Sequence, residues 1–104
     1  MVQSKCKLFE KKYKVDASSF KALSHPARLQ ILKFLADSRT SIIGDISDQL
    51  PLGRTTVNQH IKELKSAGLI TGHIEGVTTK YYLNTEKISE LKRSLDCFLD
   101  SLNT

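Results

Sequence analysis

The chain has 104 residues, is 39% hydrophobic and carries a formal charge of +5, which suits one small domain with a core and is too little for two. Its charge favours a polyanionic partner, and no apolar stretch approaches the roughly 20 residues of a membrane span. With only two cysteines, Cys6 and Cys97, far apart in the chain, neither a Cys-x-x-Cys zinc clip nor a dense disulfide framework is available.

These limits predict a single soluble, cytoplasmic domain over residues 1–104, with no apolar core of a secretory signal at its start and thiols that stay reduced. A chain this small buries only roughly 60–70% of its unfolded surface, so a second copy covering more apolar area is expected.

Residues 1–15 read as a basic arm, with Lys5, Lys7, Lys11, Lys12 and Lys14 against Glu10 alone. Such an arm either lies along phosphates or is simply solvated. Asp16 is placed to cap a short helix that carries Phe20 and Leu23 and runs to Ser24. Pro26 then opens a second helix to about Asp37, because proline at a first helical position loses no hydrogen bond. Leu29, Ile31, Leu32, Phe34, Leu35 and Ala36 surround that axis almost completely, which predicts a central core helix. His25 and Arg28 form its polar entrance. His25 is expected to cap or be a buried polar group rather than a ligand.

Ser38 to Ser41 reads as a polar break. From Ile43 to Leu50, Ile43, Ile46 and Leu50 fall at helical spacing. Pro51, Leu52 and Gly53 alone separate this segment from the next helix, short enough to force a steep crossing. Residues 43–67 are thus expected to form a helix-turn-helix, with Gly53 as N-cap and Gly68 closing the second helix in the left-handed conformation.

In that second helix Val57, Ile61 and Leu64 share one stripe, and His60 at its edge is expected to pack. Thr55, Asn58, Gln59 and Lys62 lie on the far side, a short polar face that can enter a major groove and meet base edges. Arg54 and Thr56 stand at the helix start, where N–H groups and dipole favour phosphate. Beyond Gly68 the periodicity becomes extended, and residues 69–83 read as a hairpin around Gly76 and Val77. Directly after a recognition-type helix, such a hairpin is a wing, and His73, Thr78, Thr79 and Lys80 can hold the flanking backbone or minor groove. Residues 86–102 form a last helix with Ile88, Leu91, Leu95, Phe98 and Leu102 on a seam that needs a partner helix. That partner is the first helix, a second subunit, or both.

Leu23 to Leu29, Thr56 to Leu64, Ala67 to Ile70 and Tyr81 to Asn84, in that order, make residues 16–100 resemble the arsenic-repressor (ArsR/SmtB) family of winged-helix transcription regulators. The resemblance implies a mainly α fold with a small β-hairpin, a winged helix-turn-helix of order α-α-α-α-β-β-α. It also implies a bacterial homodimer joined through its first and last helices, with Phe20, Ile88, Leu91, Leu95, Phe98 and Leu102 at the interface. Such a dimer sits on a pseudo-palindromic operator and represses until an inducer loosens it.

The departures bear on the inducer. Arsenic and cadmium sensors of the family carry Cys-x-Cys before the recognition helix, where this chain has Ser41 to Ile46, and Ser and Ile cannot replace thiolates. Zinc and nickel sensors carry histidines on the last helix, whereas this helix has Glu86, Glu90, Asp96 and Asp100 and no histidine. Neither a metal site nor a cofactor is expected. A thiol or arsenical sensor made of Cys6 and Cys97 stays open, beside an inert pair of thiols. Persulfide sensors place a cysteine on the core helix near the position of Lys33. A winged-helix protein-interaction module without DNA binding is the alternative of another class, and would present an acidic or apolar recognition face. No enzyme is indicated: Ser24 and His25 are chain neighbours that do not face each other for proton transfer, and the glycines fall singly at turns rather than in a phosphate-cradling loop.

Overall fold

The computed structural model describes residues 10–102. Its elements are α1 (Lys11–Lys21), α2 (Pro26–Ser38), β1 (Ser41–Ile42), α3 (Ile43–Asp48), α4 (Arg54–Ser66), β2 (Ile70–Glu75), β3 (Thr78–Leu83) and α5 (Thr85–Ser101). The result is the expected mainly α winged helix-turn-helix, with one strand more than the sequence suggested. The sheet is antiparallel with order β1-β3-β2.

The core forms where three amphipathic stripes meet the root of the hairpin. Ile31 and Leu35 come from α2, Ile46 from α3, and Val57, Ile61 and Leu64 from α4, closed by Leu69 and Ile70, and all eight are shielded from solvent. Burying each such aliphatic side chain stabilises the fold by about 1.5–3 kcal/mol. The spacing along α4, four then three residues, is what lets one helix place Val57, Ile61 and Leu64 in the same layer.

Local chemistry sets the ends. Pro26 stands at the first position of α2, and the imidazole Nδ1 of His25 accepts the N–H of Ala27 at 3.0 Å, so His25 is the cap anticipated from sequence. Gly68 follows α4 with φ 79°, a conformation that costs a Cβ-bearing residue about 1 kcal/mol or more. Asn84 caps α5 by accepting the N–H of Lys87. The wing is in regular register, with Ile70 opposite Leu83, His73 opposite Lys80 and Glu75 opposite Thr78.

Four expectations need correction. Helix α1 starts at Lys11 rather than after Asp16, because nothing between Lys11 and Val15 breaks a helix and lysine is a good helix former. Asp16 is therefore a buried mid-helix residue and not a cap, and Lys11, Lys12 and Lys14 belong to α1 rather than to an extended arm. Lys5, Lys7 and Cys6 lie outside the described residues. Helix α2 is not apolar-packed all round: Ala27, Ile31 and Leu35 are buried, while Leu29 is half exposed and Ala36 exposed. The polar break ends in β1, where Ser41 pairs with Tyr81 and Ile42 with Lys80. Finally, α3 ends at Asp48, so residues 49–53 rather than Pro51, Leu52 and Gly53 alone connect it to α4.

Candidate nucleic-acid interface

The two sides of α4 are as unlike as a helix permits. Val57, Ile61 and Leu64 are at most 1% exposed, while Thr55, Asn58, Gln59 and Lys62 all stand in solvent. The apolar stripe fixes the rotation of the helix, so the polar side chains project outward together. Their amides and ammonium offer the donors and acceptors that base edges and phosphates require.

The start of α4 is built for an anion. Gly53 is the N-cap and contributes no side-chain hydrogen bond, so the first-turn N–H groups of Arg54, Thr55 and Thr56 have no intrahelical acceptor. Helix dipole and exposed amides together favour phosphate there. Arg54 reaches back over α3: a Cβ on Gly44 would lie 3.0 Å from its Nη2. Gly44 thus leaves room for the guanidinium beside the helix start.

Behind the exposed face, α4 is locked to α2. The rings of His25 and His60 meet at a tilt of 38° with centroids 4.2 Å apart, and Arg28 donates from Nε to His60 Nδ1 at 3.3 Å. His60 is thus a packing residue, as its place at the stripe's edge predicted. Burial chiefly, then the charges of His25 and Arg28, lowers its pKa from the ordinary 6.5, with Glu63 opposing. The unfolded chain then takes up the proton more readily than the folded one. Stability is complete above about pH 6.5 and declines as pH falls through that value toward the lowered folded one. In His60→Gln the melting temperature is expected to fall less between pH 7 and pH 5 than in the parent. Parallel curves would show that His60 is not the source.

On the wing, strand alternation places His73, Thr78 and Lys80 on one face, and the same alternation adds Glu75. Lys80 Nζ lies 3.0 Å from Glu75 Oε2, and this bond raises the lysine pKa. Thr78 Oγ1 donates to the Glu75 carbonyl across the turn at 3.0 Å. Thr79, also proposed from sequence, falls on the opposite face. Sequence reasoning missed Glu75, although two residues beyond His73 on a strand is a readable signal. It missed too that the tip is apolar, with Ile74 and Val77 both exposed. Glu75→Gln is expected to free Lys80 for a phosphate, raising non-specific DNA affinity a few-fold and steepening the salt slope by about one per wing. An unchanged slope would place Lys80 away from the DNA backbone.

The residues assigned to the seam divide into two sets. Phe20 of α1 meets Phe98 of α5 with ring centroids 6.4 Å apart, and Ile88 and Leu91 pack against the core. Leu95 and Leu102 remain 37% and 50% exposed, joined by Leu99 at 49%, and α5 has no fully buried residue at all. Leu95, Leu99 and Leu102 form one stripe at spacings of four and three. Cys97 is exposed on α5, and its distance to Cys6 lies outside the described residues. Among those residues no cluster of three or more histidine, cysteine or carboxylate side chains could hold a metal ion, and no helix is long and apolar enough to cross a membrane.

A family model described as a helix-turn-helix domain matches residues 23–73. A helix-turn-helix-type transcriptional regulator of Methanocaldococcus jannaschii is 34% identical over 85 residues, covering 82% of this chain and 96% of its own. The transcriptional repressor SdpR of Bacillus subtilis is 32% identical over 84 residues, 81% of this chain and 89% of its own. Among solved structures, HlyU of Vibrio cholerae superposes with a TM-score of 0.69 at 30% identity, covering 81% of this chain and 91% of that one. An ArsR-like regulator of Rhodococcus shares the fold with a TM-score of 0.75 at 24% identity, over 88% of this chain and 85% of that one.

Proposed function

Since the chain belongs to the ArsR-like winged helix-turn-helix transcriptional regulators, which are DNA-binding proteins and not enzymes, we propose that it acts as a homodimeric repressor on a pseudo-palindromic operator. One observation carries this reading: α4 presents Thr55, Asn58, Gln59 and Lys62 on an exposed face opposite a fully buried one, with an uncapped start at Arg54. Asn58 and Gln59 read base edges in the major groove. Arg54, Thr55, Thr56 and Lys62 hold the backbone, and His73, Thr78 and Lys80 reach its flank from the wing. The interaction-module alternative would need an acidic or apolar α4 face, and this face is neither.

Two copies joined through α1 and α5 cover the stripe of Leu95, Leu99 and Leu102. An inducer then releases the DNA by changing how the copies sit. SdpR is a repressor and HlyU a transcriptional activator by name; repression here follows if the operator overlaps a promoter. The exposed Cys97 keeps a thiol-reactive inducer in play, and Cys97→Ser with unchanged release by diamide or arsenite would remove it.

The test is selection from a random duplex pool at 0.15 M salt. Enriched sequences are expected to be inverted repeats with half-site centres 10–10.5 base pairs, about 34–36 Å, or a multiple apart. No enrichment over the starting pool would sink the reading.

A further inference from the structure

We propose that the cleft between α1, the C-terminal end of α4 and the start of α5 is a binding site for an amphiphilic organic anion, an aromatic or medium-chain carboxylate. The proposal deepens the inducer reading above by giving it a place and a chemical class.

The cleft has a volume of about 590 Å³, within the range of small-molecule sites. Lys11, Lys14 and Lys87 face it, with the hydroxyl-bearing Ser18, Ser19 and Ser66, and no carboxylate lines it. Among the described residues, of these three lysines only Lys87 has a carboxylate within reach, Glu90 at 3.5 Å on its own helix. Three ammonium groups around one hollow repel one another, and an anion between them removes that repulsion.

Helix stability does not account for these lysines. Lys11 opens α1 and Lys14 follows one turn later, at the end where a helix dipole disfavours cations, and the first turn contains no acidic residue. Lys87 is held in place by its stem: a Cβ on Gly68 would lie 3.5 Å from its Cε and 3.6 Å from its Cγ. The aliphatic stem thus lies over the glycine while the charged head serves the cleft.

The apolar part of the ligand has Val15 and Ala67 within the cleft itself. A narrow hollow of about 60 Å³ adjoins it through Val15, Ser19 and Lys87, is lined further by Leu69, Leu91, Ser94 and Glu90, and is smaller than the roughly 150 Å³ that takes a benzene ring. A carboxylate among the lysines would direct a ring or alkyl chain between α1 and α5. DNA phosphate does not fit this position. The cleft lies at Ser66 and Ala67, roughly 20 Å along α4 from the uncapped start that faces DNA, at 1.5 Å per residue. The three elements around it are the reader and the two helices assigned to the dimer, so a ligand there acts on the joint between them.

The probe is 2-naphthoate, with neutral 2-naphthamide as control, titrated into the full ¹⁵N-labelled chain. Amide shifts are expected at Ser18, Ser19, Ser66 and Ala67, saturating below millimolar concentration, with the amide at least tenfold weaker. Lys11→Gln with Lys14→Gln should weaken naphthoate at least tenfold, and Ser18→Glu should abolish its binding while DNA affinity stays as in the parent. Equal binding of acid and amide, or shifts centred on Leu95 and Leu99, would overturn the site. So would a lysine double variant whose DNA salt slope falls by two with naphthoate binding unaltered, since phosphate would then be the partner. In gel shifts, naphthoate is expected to lower operator affinity in the parent and not in Ser18→Glu. Localised binding without that change overturns the inducer role. A chain that binds naphthoate and no DNA at all overturns the reading of α4 and leaves the cleft standing.

Discussion

Leu95→Glu is expected to turn a dimer into a monomer. Leu95 opens the stripe that continues through Leu99 and Leu102, all three substantially exposed in the single chain, so the substitution leaves the protomer's own core untouched. In a twofold interface the change occurs twice. An unpaired carboxylate in a desolvated interface costs about 3–5 kcal/mol, so dimer dissociation should become easier by at least about 10³-fold. Sedimentation at micromolar concentration should show one species of twice the chain mass in the parent and of the chain mass in the variant, with matching circular dichroism. Leu95→Ala removes only packing and should weaken the dimer by about 2–5 kcal/mol if the site is fully covered. A parent chain that sediments as a monomer would refute the whole assembly. Operator affinity should fall with the dimer, because each half-site alone contributes only part of the contact area.

The second large effect is on sequence discrimination. Gln59→Ala and Asn58→Ala are expected to lose about 1–3 kcal/mol each against the preferred base, since an amide bidentate to adenine is worth that much. The loss is felt in both half-sites and only on the selected operator. Lys62→Ala should behave differently, weakening operator and random duplex alike and reducing the salt slope by about one per contact. Filter binding on both duplexes at two salt concentrations separates the two classes. Equal losses on operator and random DNA for Gln59→Ala would show that it holds backbone rather than reading bases.

The central unit of the fold was legible because its constraints are local and redundant. Pro26 starts α2, a five-residue connection, Gln49 to Gly53, sets the crossing of α3 and α4, and the stripe of Val57, Ile61 and Leu64 orients the reading face. What was hidden depends on partners distant in the chain. Ser41 and Ile42 form a strand only because Tyr81 and Lys80 lie alongside, and two residues have no period to detect. Arg39 closes α2 with φ 70°, a conformation that sequence assigns to glycine or asparagine; its N–H bonds the Leu35 carbonyl at 2.8 Å. Helix α1 begins ahead of Asp16, which has the residue type of a cap and is a buried helical residue instead. On α5 the seam was drawn through Phe98, which meets Phe20 within the chain, whereas Leu99 completes the uncovered stripe. The pairing of Lys80 with Glu75 depends on the hairpin register, which brings the two onto one face.

Strand β1 has a mechanical meaning. It links the connection ahead of α3 to the inner strand of the wing, and α3 follows it directly. Wing and reading helix are thereby mounted on one carriage, with few internal degrees of freedom left for the angle between them. In the proposed dimer, an inducer at the far helices would have little to gain by bending either part. What it would alter is the separation and tilt of two whole carriages, much as a caliper loses its grip when the jaws are moved and not when they are reshaped.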